Sequence, residues 1–152
     1  MGSASLIFSL ETAHAVRDEI VPLLAENWKA VRDSYPESKL RPNFALYLAL
    51  EDNDTLRVFT ARMNGILVGY VVVVLVQHPH RIDDRVGTVD TMFILPEFRF
   101  GGTALRLLRF VEKTLKDNGT CSLTMVAHSQ LIERWLRQVG YRQTETVWER
   151  AL

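Results

Sequence analysis

Val89-Asp90-Thr91-Met92-Phe93-Ile94-Leu95-Pro96-Glu97-Phe98-Arg99-Phe100-Gly101-Gly102-Thr103-Ala104-Leu105-Arg106-Leu107-Leu108-Arg109-Phe110 reads as a strand, a glycine turn and the opening turns of a helix. Val89, Met92, Phe93 and Ile94 make the strand mostly apolar, and Pro96 stops its ladder because it has no amide hydrogen to donate. Gly101-Gly102 admit backbone angles that a residue with a Cβ resists. Ala104, Leu107, Leu108, Val111 and Leu115 then recur at helical spacing, so a helix begins at the glycines.

A helix that starts in a glycine turn aims several unpaired amides and the positive end of its dipole at one point, and that point attracts a phosphate. Two glycines by themselves favour the other reading, a tight strand-to-helix turn that binds nothing. A P-loop is excluded, because Gly102 is followed by Thr103-Ala104 rather than Lys and Ser or Thr. The dinucleotide fingerprint is excluded by the spacing and by the lack of a third glycine.

Arg99-Phe100-Gly101-Gly102-Thr103-Ala104 resembles a third phosphate loop, the Gln/Arg-x-x-Gly-x-Gly/Ala motif of the GNAT superfamily of acyl-CoA-dependent N-acetyltransferases. The preceding Ile94-Leu95-Pro96-Glu97-Phe98-Arg99 is similar to that family's Val-x-Pro-x-Tyr-Arg lead-in. The resemblance runs over roughly the last two thirds of the chain, on boundaries good to a few residues. The Tyr141-Arg142-Gln143-Thr144-Glu145-Thr146 ending is also similar to acetyltransferases encoded by bacteriophages.

The resemblance implies an α/β (α+β) fold: a central mixed, mostly antiparallel sheet with one parallel, splayed strand pair, flanked by helices on both faces. It implies acetyl-CoA as co-substrate, with Arg99, Phe100, Gly101, Gly102, Thr103, Ala104 and Leu105 around the diphosphate. Backbone groups of Met92, Phe93 and Ile94 would pair with the pantetheine arm. The acceptor would be a primary amine of a small molecule or a protein.

The composition fits one globular domain over residues 1–152, 47% hydrophobic and 24% charged. Eighteen Lys and Arg balance eighteen Asp and Glu, so no overall field recruits nucleic acid or an anionic membrane. Ile66 to Val76 is the greasiest run, but it is far shorter than the ~20 residues of a membrane helix. Its β-branched content reads as a buried strand. The lone Cys121 reads as a small buried strand residue, and the first residues lack the regions of a signal peptide. A cytoplasmic protein is expected. Sheet-edge pairing leaves a homodimer open.

In chain order, Ser5 to Leu10 reads as a short strand. Val16, Ile20, Leu23 or Leu24, Trp28 and Val31 mark an amphipathic helix, with a kink or restart at Pro22. Tyr35, Glu37 and Arg41 lie in a polar connector that either shapes the acceptor site, as the resemblance implies, or is simply solvated. Asn43 to Leu50 reads as a short helix or a strand. Leu56 to Arg62 and Leu67 to Gln77 form a hairpin about Asn64-Gly65. Asn118-Gly119 stops the phosphate helix, and a strand from Cys121 to Ala127 should run parallel to the organising strand. Ser129 is the N-cap of a helix with Leu131, Ile132, Trp135, Leu136 and Val139 inward. Tyr141 to Trp148 reads as a final strand. His78-x-His80 with Asp83 and Asp84 reads as a turn, and no metal spacing is seen.

Within the resemblance, Asp90 stands where family members often carry a Glu base, and its other reading is a strand-end residue bonded to a neighbour. His128 is a second titratable candidate, or a helix-entry histidine. Leu136 occupies the position of the family's usual acid, a Tyr, leaving Tyr141 or water to substitute. Ser129 and Thr124 replace a frequent Asn and Glu. These departures motivate a second reading, a GNAT-like domain that binds CoA or a partner protein without turnover.

Overall fold

A computed structural model describes residues 5–31 and 39–152. Its elements are β1 (Leu6–Glu11), α1 (Ala13–Val31), α2 (Phe44–Asp52), β2 (Leu56–Met63), β3 (Ile66–Gln77), β4 (Arg85–Ile94), α3 (Thr103–Asp117), β5 (Thr120–Thr124) and α4 (Gln130–Gln138). The strands form one sheet in the order β1-β2-β3-β4-β5. The first three pairings are antiparallel and β4–β5 is parallel, which is the mixed sheet expected. Asn64 and Gly65, at φ 50° and 83°, turn β2 back into β3. β3 is buried continuously from Leu67 to Val73, because the sheet is covered on both faces.

One face carries a core of Phe59, Val71, Val73, Val89 and Ile94 with Leu107, Val111 and Leu115 of α3. The other packs Val58, Tyr70, Val72 and Phe93 against Val16, Ile20 and Leu23 of α1, with Phe44 and Tyr47 of α2 half-buried beside them. Thr12 starts α1 by accepting the amide of Ala15 at 3.1 Å. The helix continues through Pro22 without a restart. Asn43 caps α2, accepting from the amide of Leu46 at 3.1 Å, which decides for a helix there. The far end of α2 caps α1 in turn: the Glu51 carboxylate accepts the amides of Ala13 at 2.6 Å and His14 at 3.2 Å.

Four expectations are corrected. Tyr141 to Trp148 forms no strand, and Val147 and Trp148 are 77% and 91% exposed. Alternating residues choose faces, but a strand also needs an unpaired ladder to bond, and the segment makes none with β5. β5 ends at Thr124 rather than Ala127, because β4 offers it no partner beyond Thr88. Cys121 is exposed, since it lies on the last strand of the sheet with one side uncovered. Leu131 is 76% exposed, because α4 docks at its C-terminal half, where Leu136 is buried and Arg109 of α3 donates to the Val139 carbonyl at 2.8 Å.

Candidate active site

The parallel ladder joins Arg85 to Thr120 and ends at the pair Thr88 and Thr124, whose hydroxyls lie 3.0 Å apart. β4 runs on to Ile94, so from Val89 onward its outer edge has no strand beside it. This is the splayed pair the resemblance implied. The Leu95 amide bonds to the Val68 carbonyl of β3 at 2.9 Å. Strand alternation therefore turns the backbone of Phe93 toward β3 and the amides of Met92 and Ile94 toward the open edge.

At the far end of that edge lies the glycine turn. A 3-10 turn over Pro96–Phe98 leads into Gly101 and Gly102, both left-handed at φ 59° and 70°. A Cβ on either would meet nothing within 4 Å, so the requirement for glycine is angular and the space above the loop is open. The Thr103 amide bonds to the Phe100 carbonyl at 3.2 Å, and the first helical bond runs from Arg106 to Gly102 at 2.9 Å. The amides of Gly101, Gly102, Ala104 and Leu105 have no acceptor among the described residues. Arg99 is fixed beside them, its Nε donating to the Ile94 carbonyl at 2.7 Å and its guanidinium 5.3 Å from the centre of the Phe93 ring.

Asp90 stands at the near end of the open edge, in a β-bulge. Val72 pairs with Thr91 but Val73 pairs with Val89, which leaves Asp90 as the extra residue. Val89 therefore joins the α3-side core, while the next two side chains both reach the α1/α2 face. Asp90 Oδ2 accepts from the Tyr47 phenol at 2.8 Å. Thr91 Oγ1 accepts from Asn27 Nδ2 at 2.8 Å, and the same amide donates to the Tyr70 hydroxyl at 3.1 Å. Burial, then the neighbouring carboxylate, pushes the Tyr47 phenol far above its ordinary range, so it serves Asp90 as a donor.

The sequence reading missed Tyr47 and Asn27 as members of this cluster. Asn27 had a signal: it continues the spacing of Val16, Ile20 and Leu23, a polar residue on an inward stripe. His128 is exposed between β5 and α4. Tyr141 donates to Glu112 of α3 at 2.9 Å, and burial followed by that carboxylate raises its phenol. Neither is brought into the hydrogen bonds of Asp90. Leu136 is buried at 7% exposure, and Thr124 is held by Thr88. Arg41 is exposed, while Tyr35 and Glu37 lie outside the described residues.

Beside Tyr47, the partner of Asp90, a small cleft of about 30 Å3 lies between α1, α2 and the sheet and opens to solvent. Its walls are apolar, with Tyr47 and Thr91 as the polar members of the lining.

The fold recurs in solved structures. A ribosomal-protein-alanine N-acetyltransferase from Brucella melitensis shares 21% identity over 97% of this chain and 99% of its own, with a TM-score of 0.75. An aminoglycoside acetyltransferase from an uncultured soil metagenomic sample, solved with sisomicin, shares 10% over 97% and 95% at a TM-score of 0.77. A predicted acetyltransferase with acetyl-CoA from Clostridium acetobutylicum shares 15% over 97% and 96% at 0.74. No curated protein matches the chain. The family model for the acetyltransferase (GNAT) family matches residues 20–142, so that the glycine turn, the splayed strands and the bulge between them lie in a chain that belongs to this family.

Proposed function

We propose that the protein is an acetyl-CoA-dependent N-acetyltransferase that moves the acetyl group directly to a primary amine. The observation that carries the reading is the run of unbonded amides at Gly101, Gly102, Ala104 and Leu105, beside the free edge of β4. Open space above the glycines and donors converging at a helix start suit a diphosphate. The edge amides of Met92 and Ile94 suit an extended amide-bearing arm. When bound, acetyl-CoA supplies an activated thioester.

The remaining work falls to side chains at the bulge. Asp90 would take the proton from the acceptor's ammonium, directly or through water, while Tyr47 holds the carboxylate in place. Leu136 is no proton donor, and with the Tyr141 hydroxyl committed to Glu112 the departing thiolate would take its proton from water. Small-molecule and protein amines both remain compatible with the site. Calorimetry with CoA and thiol release over an amine panel test the proposal together, and an absence of CoA binding refutes it.

A second reading is favoured by Leu136, which is buried, and by Tyr141, whose hydroxyl is committed to Glu112. On that reading the domain binds CoA without turnover. Tight CoA binding with no thiol release from any amine decides for it.

A further inference from the structure

The cleft beside Asp90 has a chemistry of its own. Val16 and Ile20 of α1, Phe44 of α2, and Leu56, Val58 and Val72 of the sheet form its walls, and none of its lining residues is charged. The opening follows from how α2 sits: none of its side chains is fully buried, although Phe44, Tyr47 and Leu48 all turn toward the core. Neither acid of α2 lines the cleft, and Glu51 has both oxygens engaged by the amides that start α1. Asp90 is thus the carboxylate at the polar end of an otherwise apolar space, joined to it through the ring of Tyr47, which lines the cleft and bonds to the acid.

We infer that this cleft receives the uncharged, apolar substituent of the acceptor amine, a branched aliphatic group or a single aromatic ring, while the amine itself lies at Asp90. The inference rests on the transferase reading for the role of Asp90, and on the lining alone for the substituent. The room left free of protein, about 30 Å3, limits the group to a compact one. A second cation near the amine would enter apolar surroundings without a partner, which is costly. Polyamines and aminoglycosides are therefore disfavoured, and an arylalkylamine, an aliphatic amine or a peptide with an apolar first residue shares the favoured chemistry.

The test compares phenethylamine and isopentylamine with ethanolamine, 1,4-diaminobutane and sisomicin, using the full chain with acetyl-CoA. The two apolar amines should exceed ethanolamine by about tenfold or more in kcat/KM. A peptide beginning with Leu, set against one beginning with Ser, tells a free amine from a chain terminus. Leu24→Phe and Ala13→Leu, which add bulk at the lining, should collapse the phenethylamine-to-ethanolamine ratio, with CoA affinity reporting an intact loop. Leu24→Glu should shift preference toward 1,4-diaminobutane. Calorimetry of phenethylamine on the CoA-loaded protein separates the two readings. Binding that depends on Leu24 without transfer to any amine keeps the cleft assignment and removes the transferase. Equal or better transfer to ethanolamine or sisomicin, or no phenethylamine binding, overturns the cleft assignment.

Discussion

The phenol of Tyr47 donates to the carboxylate of Asp90 at 2.8 Å, joining two residues 43 positions apart. The bond exists because a bulge turns Asp90 to the face that α2 covers. It holds one oxygen of a carboxylate that stands at the edge of the splayed strands.

Asp90→Asn should therefore lower kcat by about 10² to 10⁴ while CoA affinity is kept, as expected for loss of a general base. Tyr47→Phe keeps the acid but frees its orientation, and should lower kcat by roughly tenfold with a stability loss of about 1 kcal/mol. Steady-state kinetics with parallel calorimetry check both. An Asp90→Asn enzyme of undiminished kcat would remove Asp90 from the chemistry.

Gly102 needs its left-handed angle, but a Cβ there would touch nothing. Gly102→Ala should cost about 1 kcal/mol in strain and leave CoA binding measurable. Gly102→Glu adds a negative charge beside the unbonded amides and should weaken CoA affinity by more than about 100-fold at a similar melting temperature, an expectation from like-charge repulsion at a helix start. Titration calorimetry of the two variants compares these outcomes.

Gly69 is required for a different reason. A Cβ there would lie 2.9 Å from Ile94 Cγ1 and 3.0 Å from the Phe93 carbonyl oxygen, so β4 would have to move. Gly69→Ala should cost about 1–3 kcal/mol by denaturant unfolding. Because the displaced backbone is the edge beside the loop, KM for acetyl-CoA should rise as well. A destabilised variant with unchanged KM would separate packing from cofactor binding.

Arg62 joins α1 to the hairpin, donating to Glu11 at 2.7 Å and to Glu19 at 2.8 Å. Its hydrogen bond is the largest cause holding the Glu11 carboxyl below its ordinary value of 4.5. A lowered folded-state value stabilises the protein above that ordinary pH and ceases to do so as the pH falls through the folded value. Arg62→Met should cost about 1–3 kcal/mol at pH 7 and less at pH 3. Unfolding curves at the two pH values check the sign; an equal loss at both would mean the arginine acts through packing alone.

Local patterns in the chain made much of this legible. The glycine turn, the unbroken β-branched run of β3, and the helical spacing of α1 and α3 each depend on contacts within a few residues, which a sequence displays. The left-handed glycine loop with its unbonded amides was readable for the same reason. The hydrogen bonds at the bulge were not, because Tyr47 reaches Asp90 and Asn27 reaches Thr91 from separate helices. Asn27 alone announced itself, as a polar residue on an inward stripe. The expected last strand failed at Tyr141 to Trp148 because alternation specifies faces without naming a partner, and Cys121 was misjudged because an apolar setting does not reveal that a strand lies at an edge.

The amino-acid order alone determined where amides would be left unbonded: Pro96 ends a ladder, and two glycines open a helix whose first donors have no residues before them to bond. Tertiary structure decided what those donors stand beside. Only the pairing of β3 with β4 creates the bulge that aims Asp90, and only the packing of α2 brings Tyr47 to it and leaves an apolar cleft alongside. The reason is range: dihedral preference and periodicity act over a turn or two, whereas register and cleft shape are set by residues that meet only when the sheet has closed.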